Sequence, residues 1–496
     1  MTWEWLRLHC AMTSASRGMS AVSLLTDSTS YSRTSSYSSN TTNNYEDEIN
    51  AKRFFLGSAS EREIPTGKTS LLGAIFVVTN AAMGAGMLSF PYAFYLAGSW
   101  YWGISVEVGM IPIIIISLLI LAYCSELKQA VTCEETLGLM LGPAAKIITE
   151  ILVLLYCFGT CVAFLTIMGD QIEDVTFAFK YHNESVSEQW WANRKFLVPI
   201  VAILLIYPWL YLRKIGILSY TSFLGILSCV YICLVIVVNY FVTEGNIKCN
   251  APKYYHSTDC SRSWTSFFNS IPFVCFAFQC HVSSIPVYSG LKKRSVGRFF
   301  LVIVAAVFLC TLLYSLTGSF GLITFSKKGL CINSDIMRNY CPTDIPVSVA
   351  RGMLFLCLIT SYPILAFCGR VSLDGFVYRL ASCCCKRDHY SWAPSWLTAQ
   401  SIVTFANIQV WMFGSLVLAV FVKEIKEVVS PLGSLAAVFI FVLPGLCLLK
   451  LSLQFHFNGK IKNVIGMIFS LSIISFGVFI FADDLIYNIM EEAGVF

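Results

Sequence analysis

The chain has 496 residues, of which 56% are hydrophobic and only 13% are charged, and its formal net charge is +5. Soluble domains carry about 25% charged residues, because their surface must be covered by polar groups. The composition therefore argues against a soluble enzyme, a disordered protein and a nucleic-acid-binding protein. It predicts a protein that crosses a lipid bilayer several times. The twenty cysteines contain no CxxC pair, which argues against a structural zinc module.

Residues 1–69 differ in composition from the rest of the chain. Residues 13–44 are rich in Ser, Thr, Tyr and Asn, and three acidic residues follow at 46–48. Such a segment has too little apolar surface to offset the entropy lost on ordering. It also lacks the basic start and long apolar core of a signal peptide. We therefore expect a disordered tail before the first membrane span.

Apolar runs recur from residue 70 to the end of the chain. A hydrocarbon core of ~30 Å needs about 20 mainly apolar residues per helical span. None of the runs alternates apolar and polar residues as the strands of an outer-membrane barrel do, so the spans are expected to be helices. We count eleven candidate spans, at 70–97, 102–124, 147–169, 196–212, 216–242, 266–290, 299–325, 346–369, 402–421, 430–450 and 462–482. A transmembrane domain is thus expected over 70–484, with a short outer or lumenal C-terminus at 485–496.

The connecting loops predict that the N-terminus is cytosolic, because the loops then placed inside carry more Lys and Arg than those outside. In this orientation the one loop sequon of the Asn-x-Ser/Thr type, at Asn183, lies outside and predicts glycosylation. Four cysteines also lie outside, where an oxidising environment permits disulfide bonds within or between two loops. They are Cys249, Cys260, Cys331 and Cys341.

The first span is interrupted in its middle. Gly84, Gly86 and Pro91 follow Asn80 within about three helical turns. A packing face of small residues explains Gly84 alone, but not the four residues together. Backbone groups released at this depth are tolerated only where they line a cavity. The amides of Gly84, Ala85 and Gly86 would suit a substrate carboxylate, and released carbonyls with Asn80 would suit a sodium ion.

The sixth span has a matching interruption. It contains Gln279 and His281 among further polar residues, and Pro286 ends this polar turn. Paired interruptions at corresponding places in two halves are typical of an inverted-repeat transporter, whose site lies between them. We expect carbonyls near Phe278 to bind the substrate ammonium. Gln279, His281 and Thr160 are expected to shape the side-chain pocket.

The eighth span contains the adjacent hydroxyl residues Thr360 and Ser361. Their oxygens would complete the shell of a hard cation, although bonding to the preceding turn is an alternative. Sodium bound between spans one and eight would stabilise the outward-open state and raise amino-acid affinity by reciprocal coupling. No nucleophile elbow, HExxH or Walker loop is present, so neither an enzyme nor an organic cofactor is expected.

Five stretches of the sequence resemble the amino acid/auxin permease superfamily, and within it the sodium-coupled neutral amino acid transporters. They lie at 73–94, 158–171, 275–288, 359–370 and 439–448. The resemblance implies an all-α polytopic membrane protein of about eleven spans with the LeuT-like fold. That fold has two inverted five-helix repeats, here about 70–242 and 266–450, and one extra helix at 462–482.

The resemblance also implies sodium-linked symport of a small neutral L-amino acid, glutamine prominent among them. In sodium sites of the family, an Asn of span one and a hydroxyl residue of span eight are implicated, and these fall on Asn80 and on Thr360 or Ser361. A proton-coupled carrier or exchanger with His281 as the titrating group is an alternative on the same fold. A membrane amino acid sensor is another. The plasma membrane and the lysosomal membrane both remain open as the location.

Overall fold

A computed structural model describes residues 67, 69–182, 194–211, 215–243, 266–327, 331–384, 399–422, 425–454 and 460–492. All of them belong to one compact unit, Pro65–Phe496. The tail 1–66, the sequon at Asn183, and both Cys249 and Cys260 lie outside the described residues.

The described residues are almost entirely helical. In chain order the α-helices are α1 (Leu71–Met83), α2 (Gly86–Ala97), α3 (Trp100–Lys128), α4 (Cys133–Leu141), α5 (Pro143–His182), α6 (Arg194–Val201), α7 (Ile215–Thr243), α8 (Ser266–Ala277), α9 (His281–Ser289), α10 (Val296–Ser326), α11 (Ile345–Cys384), α12 (Ala399–Phe421), α13 (Lys426–Ala437), α14 (Leu443–Gln454) and α15 (Lys460–Glu492). Short π-helical turns follow α6 and α13, and a 3₁₀ turn (Ile336–Asn339) lies between α10 and α11.

Eight segments of the described chain are long and apolar enough to cross a membrane, and α1 with α2 forms a further span bent by 51°. Two shorter apolar helices, Lys195–Tyr211 and Phe405–Phe421, coincide with the two remaining predicted spans. The eleven predicted spans are thus all present as helices. The prediction of an all-α polytopic membrane protein is confirmed.

The exposed faces of these helices are apolar, as a bilayer requires. On α15, for example, Ile465 and Ile468 are about 60% exposed. Toward the interior, small residues let helices approach closely in the absence of a hydrophobic force between them. Gly433 of α13 contacts the backbone of Pro272 in α8 in this way.

Three packing relations place the candidate site. Helix α11 packs against α5 and α7, α1 packs against α7 and α10, and α8 packs against α2 and α13. The bent first span therefore lies in the centre of the bundle, between spans five and eight on one side and span six on the other. We call the side that carries residues 331–344 the outer side, as the sequence predicts.

Candidate ion and substrate site

The interruption of the first span falls where the glycines predict it. Helix α1 ends at Met83, and Gly84 adopts φ 17° and ψ −125°, a conformation outside the helical region. Helix α2 starts at Gly86. Its first amides have no partner within the helix, and its N-terminus carries partial positive charge. The break therefore offers backbone donors in the middle of the bundle.

The sixth span is interrupted at a corresponding place. Helix α8 ends at Ala277, α9 begins at His281, and the three residues between them are not helical. The two breaks touch each other. A β-carbon on Gly86 would lie only 2.5 Å from the Cα atom of Ala277, so only glycine allows this approach. The structure thus brings the two predicted halves of the substrate site together.

Aromatic side chains cover one side of the paired breaks. Tyr314 of α10 stacks on Phe90 with ring centroids 4.4 Å apart, and it meets the edge of Phe278 at 5.1 Å. Its hydroxyl donates a 2.9 Å hydrogen bond to the carbonyl of Ala277, the last residue of α8. Tyr314 therefore occupies one carbonyl released by the break in span six. No sequence signal distinguishes this residue, because a lone Tyr in an apolar span is usually a packing residue.

Asn80 is completely buried in α1, one turn before the break. Neither its side-chain oxygen nor its side-chain nitrogen has a hydrogen-bond partner among the described residues. A buried polar group without a partner costs about 1–3 kcal/mol, so an unpaired carboxamide in a packed helix marks a place for a ligand.

The hydroxyls of span eight lie beside Asn80, as predicted. Thr360 donates its proton to the carbonyl of Cys357 at 2.8 Å, and Ser361 donates to the carbonyl of Asn80 at 3.4 Å. Thr360 therefore does form a hydrogen bond to the preceding helical turn. The lone pairs of its hydroxyl oxygen are still available to a cation. Gly225 of α7 lies at the same place: a β-carbon there would be 2.7 Å from Thr360 Oγ1.

The polar residues of the sixth span are bonded mainly to protein groups. The Gln279 side-chain oxygen accepts from the backbone amide of His281 at 3.3 Å and from its Nδ1 at 2.8 Å. His281 Nε2 lies 2.7 Å from the hydroxyl of Ser117 in α3. Because the Gln279 oxygen only accepts, the imidazole carries a proton on Nδ1. The Ser117 hydroxyl has one proton and lies within reach of two acceptors, His281 Nε2 and the carbonyl of Ile114 at 2.9 Å. These bonds hold His281 against span two.

Thr160 lies in α5 and donates its hydroxyl proton to the carbonyl of Tyr156 at 2.7 Å. The contact from α5 to the first break comes instead from Phe164, one turn further along. A β-carbon on Gly84 would lie 2.9 Å from the end of the Phe164 ring. The role of Thr160 in the pocket wall stays a prediction, and Phe164 is the residue of the same helix that reaches the break.

A buried polar cluster closes the outer side. Arg351, fully buried in α11, forms an ion pair with Asp174 of α5 at 3.1 Å and donates to the carbonyl of Met337 at 3.0 Å. Gln171 donates to the carboxylate of Asp335 at 2.7 Å. Burial raises the pKa of Asp335, which lies in the loop, to about 6. The cluster fixes the 3₁₀ turn against α2, over the first span.

The outer loop also carries two of the four predicted cysteines. Cys331 and Cys341 are both disulfide-bonded. The pairing among the four cysteines, and glycosylation at Asn183, stay predictions.

The opposite side is closed by a second cluster. Arg294 forms an ion pair with Glu126 at 3.3 Å, and Tyr288 donates a hydrogen bond to the same carboxylate. The segment before the first span is bonded to the segment after the sixth, through Thr69 N to the carbonyl of Gly290 at 3.1 Å. Both sides of the paired breaks are therefore closed by protein groups.

Both the sequence and the fold are similar to those of known proteins. Residues 67–488 match the family described as transmembrane amino acid transporter protein. Sodium-coupled neutral amino acid transporter 7 of Homo sapiens is 36% identical over 401 residues, which is 80% of this chain and 82% of the relative. The protein of that name from Danio rerio is 34% identical over 85% of this chain and 88% of its own. Putative sodium-coupled neutral amino acid transporter 8 of Xenopus tropicalis is 30% identical over 90% and 99%.

Among solved structures, the crystal structure of MhsT in complex with L-phenylalanine has a TM-score of 0.51 at 13% identity, and the likeness covers 84% of this chain and 98% of that chain. At this identity the likeness shows the fold alone. The family resemblance predicted from the five sequence stretches is confirmed.

Proposed function

The chain belongs to the family of transmembrane amino acid transporters, and from that premise we propose that it carries a small neutral L-amino acid such as glutamine together with sodium. Secondary active transport of an amino acid across a membrane is the function that the family establishes, and it makes the protein a transporter and not an enzyme. The coupling ion, the substrate and the residues that bind them are our proposal. The observation that carries it is the unpaired, fully buried carboxamide of Asn80.

Sodium is proposed to bind between spans one and eight. It would take the side-chain oxygen of Asn80 and the hydroxyl oxygens of Thr360 and Ser361. These are neutral oxygen ligands, which suit a hard cation of low charge. The described residues contain no group of three or more His, Cys, Asp or Glu side chains that could hold a metal ion, so the ligand chemistry present is that of an alkali cation and not of a transition metal. Binding would also relieve the desolvation cost of the Asn80 oxygen.

The amino acid is proposed to bind between the two breaks. Its carboxylate would accept from the backbone amides of Ala85 and Gly86, where the helix dipole of α2 favours negative charge. The amide of Gly84, which the sequence also predicts as a donor, already donates to the carbonyl of Asn80 at 3.4 Å. Its ammonium would donate to carbonyls of the sixth span. Tyr314 already occupies the carbonyl of Ala277, so Phe278 and Gln279 are the next residues whose carbonyls can serve.

Selectivity for neutral amino acids follows from the charges at the breaks. Residues 79–91 and 276–286 contain no Asp, Glu, Lys or Arg. A zwitterion brings one charge of each sign and needs only backbone dipoles to balance them. A substrate with a net charge would leave that charge uncompensated in a buried site, which is costly. Gln279 and His281 stay candidates for contacts to the substrate side chain, through the unpaired Gln279 nitrogen.

Orientation and location belong to the same proposal. The disulfide-bonded cysteines 331 and 341 support an outer position for their loop, and hence a cytosolic N-terminus. We propose two inverted repeats, about 70–242 and 266–450, with the extra helix at 462–482 and the tail 1–69 in the cytosol. The plasma membrane and the lysosomal membrane both provide an oxidising or lumenal face that fits this orientation.

Radiolabelled glutamine uptake into proteoliposomes tests the proposal. We expect an inward sodium gradient to drive accumulation, and we expect unlabelled small neutral amino acids to compete while arginine and glutamate do not. Uptake driven by a proton gradient without sodium would instead support the proton-coupled alternative. Glutamine binding without any flux would support the sensor alternative. Either result would contradict the proposal.

A further inference from the structure

Gly225 of α7 lies directly against the atoms assigned to the sodium site. A β-carbon added there would be 2.7 Å from Thr360 Oγ1 and 3.0 Å from Asn80 Cγ, and it would lie closer still to Asn80 Oδ1. Real β-carbons essentially never come within 3.0 Å of another heavy atom. Any other residue at position 225 therefore competes for space with the proposed ion ligands of spans one and eight.

The three helices that meet here are held at short range. Helix α7 packs along both α1 and α11. About one turn beyond Gly225 on α7, the sulfur of Cys229 lies 3.4 Å from the sulfur of Cys357 on α11. Cys357 also accepts the hydrogen bond from Thr360. A side chain at 225 could not be accommodated by widening the gap between α7 and α11 without losing this contact.

The Asn80 carboxamide is the part that can move. It has no hydrogen-bond partner among the described residues, whereas the Thr360 hydroxyl is held by the carbonyl of Cys357. A methyl group at 225 would therefore rotate the Asn80 side chain away, and the Thr360 hydroxyl, 2.7 Å from the added carbon, would have to shift by a smaller amount. The displaced Asn80 oxygen is one that the proposed function assigns to sodium.

We propose that Gly225 is a positioning residue of the sodium site: by having no side chain, it sets the place of the Asn80 and Thr360 oxygens and thereby the affinity and size selectivity for the cation. This inference rests on the proposed sodium coupling. It adds a third span, the fifth, to the site formed by spans one and eight. The nearest atoms to a β-carbon at position 225 belong to Asn80 and Thr360, so its effect is expected to pass through the proposed ion ligands.

The test is the sodium dependence of amino-acid uptake by Gly225→Ala in proteoliposomes. We expect the sodium concentration for half-maximal uptake to rise about tenfold or more, which corresponds to 1.4 kcal/mol or more of lost binding. The maximal rate of uptake at saturating sodium should stay within about twofold of the wild-type rate. The ratio of lithium to sodium affinity should change as well, because the spacing of the ligands has changed.

Gly352→Ala is the matched control. Gly352 lies in α11, the helix of Thr360, and nothing lies within 4 Å of the position its β-carbon would take. This variant measures the effect of a glycine-to-alanine change in a membrane helix with no clash. Its sodium activation should equal that of wild type. Equal sodium activation in Gly225→Ala and Gly352→Ala would overturn the proposal, as would a loss of maximal uptake with unchanged sodium affinity.

The double variant Asn80→Ala with Gly225→Ala separates positioning from folding. Because part of the effect of Gly225 passes through Asn80, the loss of sodium affinity in the double variant should be smaller than the sum of the two single losses. The double variant also accumulates in the membrane even where Gly225→Ala does not, because the closest clash partner is gone. Additive losses, or failure of both variants to accumulate, would contradict the inference. A sodium-dependent wild type with an unaffected Gly225→Ala would refute this inference alone, whereas a sodium-independent wild type would refute the proposed function itself.

Discussion

The two interrupted spans differ in how their polar groups are satisfied. In the first span, the buried side chain of Asn80 has no partner among the described residues, and the break is bridged by two small residues. In the sixth span, Gln279 bonds His281, His281 bonds Ser117, and Tyr314 bonds the last carbonyl of α8. The polar residues of span six are thus largely bonded within the protein, whereas the side chain of Asn80 in span one is unpaired among the described residues.

This difference separates residues that bind from residues that hold the binding groups in place. Both spans carry polar side chains in the middle of a membrane helix, and residue type alone marks both as functional. The side chain of Asn80 has no hydrogen-bond partner among the described residues, which supports its proposed role as a cation ligand. The hydrogen bonds of His281 show that it fixes the start of α9 and the approach of span two.

Gly86→Val separates the two breaks. The added atoms would overlap Ala277, whose Cα atom lies 2.5 Å from the position of the first added carbon. Because the obstacle is backbone, overpacking of about 1–3 kcal/mol or more is expected at the substrate site. Uptake should fall about hundredfold, since each loss of about 1.4 kcal/mol corresponds to a factor of ten.

Uptake at equal membrane content is the measurement for Gly86→Val. The control is Gly109→Ala in α3, where nothing lies within 4 Å of the added carbon. Normal uptake by Gly86→Val would show that transport does not require contact between the two breaks. The two interrupted spans would then not form one shared site.

Asn80→Ala removes the unpaired, buried carboxamide of span one. We expect the sodium concentration for half-maximal uptake to rise about tenfold or more, since a liganding oxygen is lost. Asn80→Asp keeps an oxygen at the same place and should retain most of the sodium stimulation. Sodium titration of uptake measures both variants. Identical titrations of wild type and Asn80→Ala would remove Asn80 from the site.

His281→Ala tests the sixth span. It leaves the Gln279 oxygen with one donor fewer and Ser117 without its ring partner, so the loss of stability should be about 1–3 kcal/mol. Sodium affinity and the pH dependence of uptake should be unchanged. Thermal unfolding in detergent and uptake between pH 5 and 8 are the measurements. If the variant instead abolished the pH dependence of uptake, His281 would be a proton carrier and not a structural residue.

Asp335→Asn tests the outer cluster, where the effect should be smallest. Burial raises the pKa of this carboxyl from 3.8 to about 6, so the folded loop binds the proton more tightly than the unfolded chain does. Its contribution to stability is present at low pH and is lost as the pH rises toward 6. Thermal stability of wild type relative to Asp335→Asn should therefore fall between about pH 4 and 6 and be level above it. A constant difference across that range would contradict the assignment.

The sequence predicts the fold and one half of the site for identifiable reasons. Eleven apolar runs predict eleven helical spans, and the glycines and proline after Asn80 predict the break in the first, because these residues alter the backbone locally. Local signals do not reveal partners far along the chain. The bond from His281 to Ser117 joins residues 164 positions apart, so its structural role follows only from the three-dimensional packing.

Gly225 and Phe164, which the structure adds to the candidate site, show the same limit of sequence-based prediction. Gly225 is an isolated glycine in an apolar helix, a pattern that signals close packing without naming the partner. Phe164 follows Thr160 by one turn, and helical periodicity places both on one face without deciding which side chain reaches the break. In both cases the deciding quantity is a distance between helices, which no property of a single helix determines.

The central claim is that Asn80 binds the ion that drives amino-acid transport. Its most direct test is the binding of glutamine to purified wild type and Asn80→Ala, measured with and without sodium. We predict that sodium raises the glutamine affinity of wild type about tenfold or more and leaves the affinity of Asn80→Ala almost unchanged, because coupling between two ligands is reciprocal. Equal enhancement by sodium in both proteins would contradict the account.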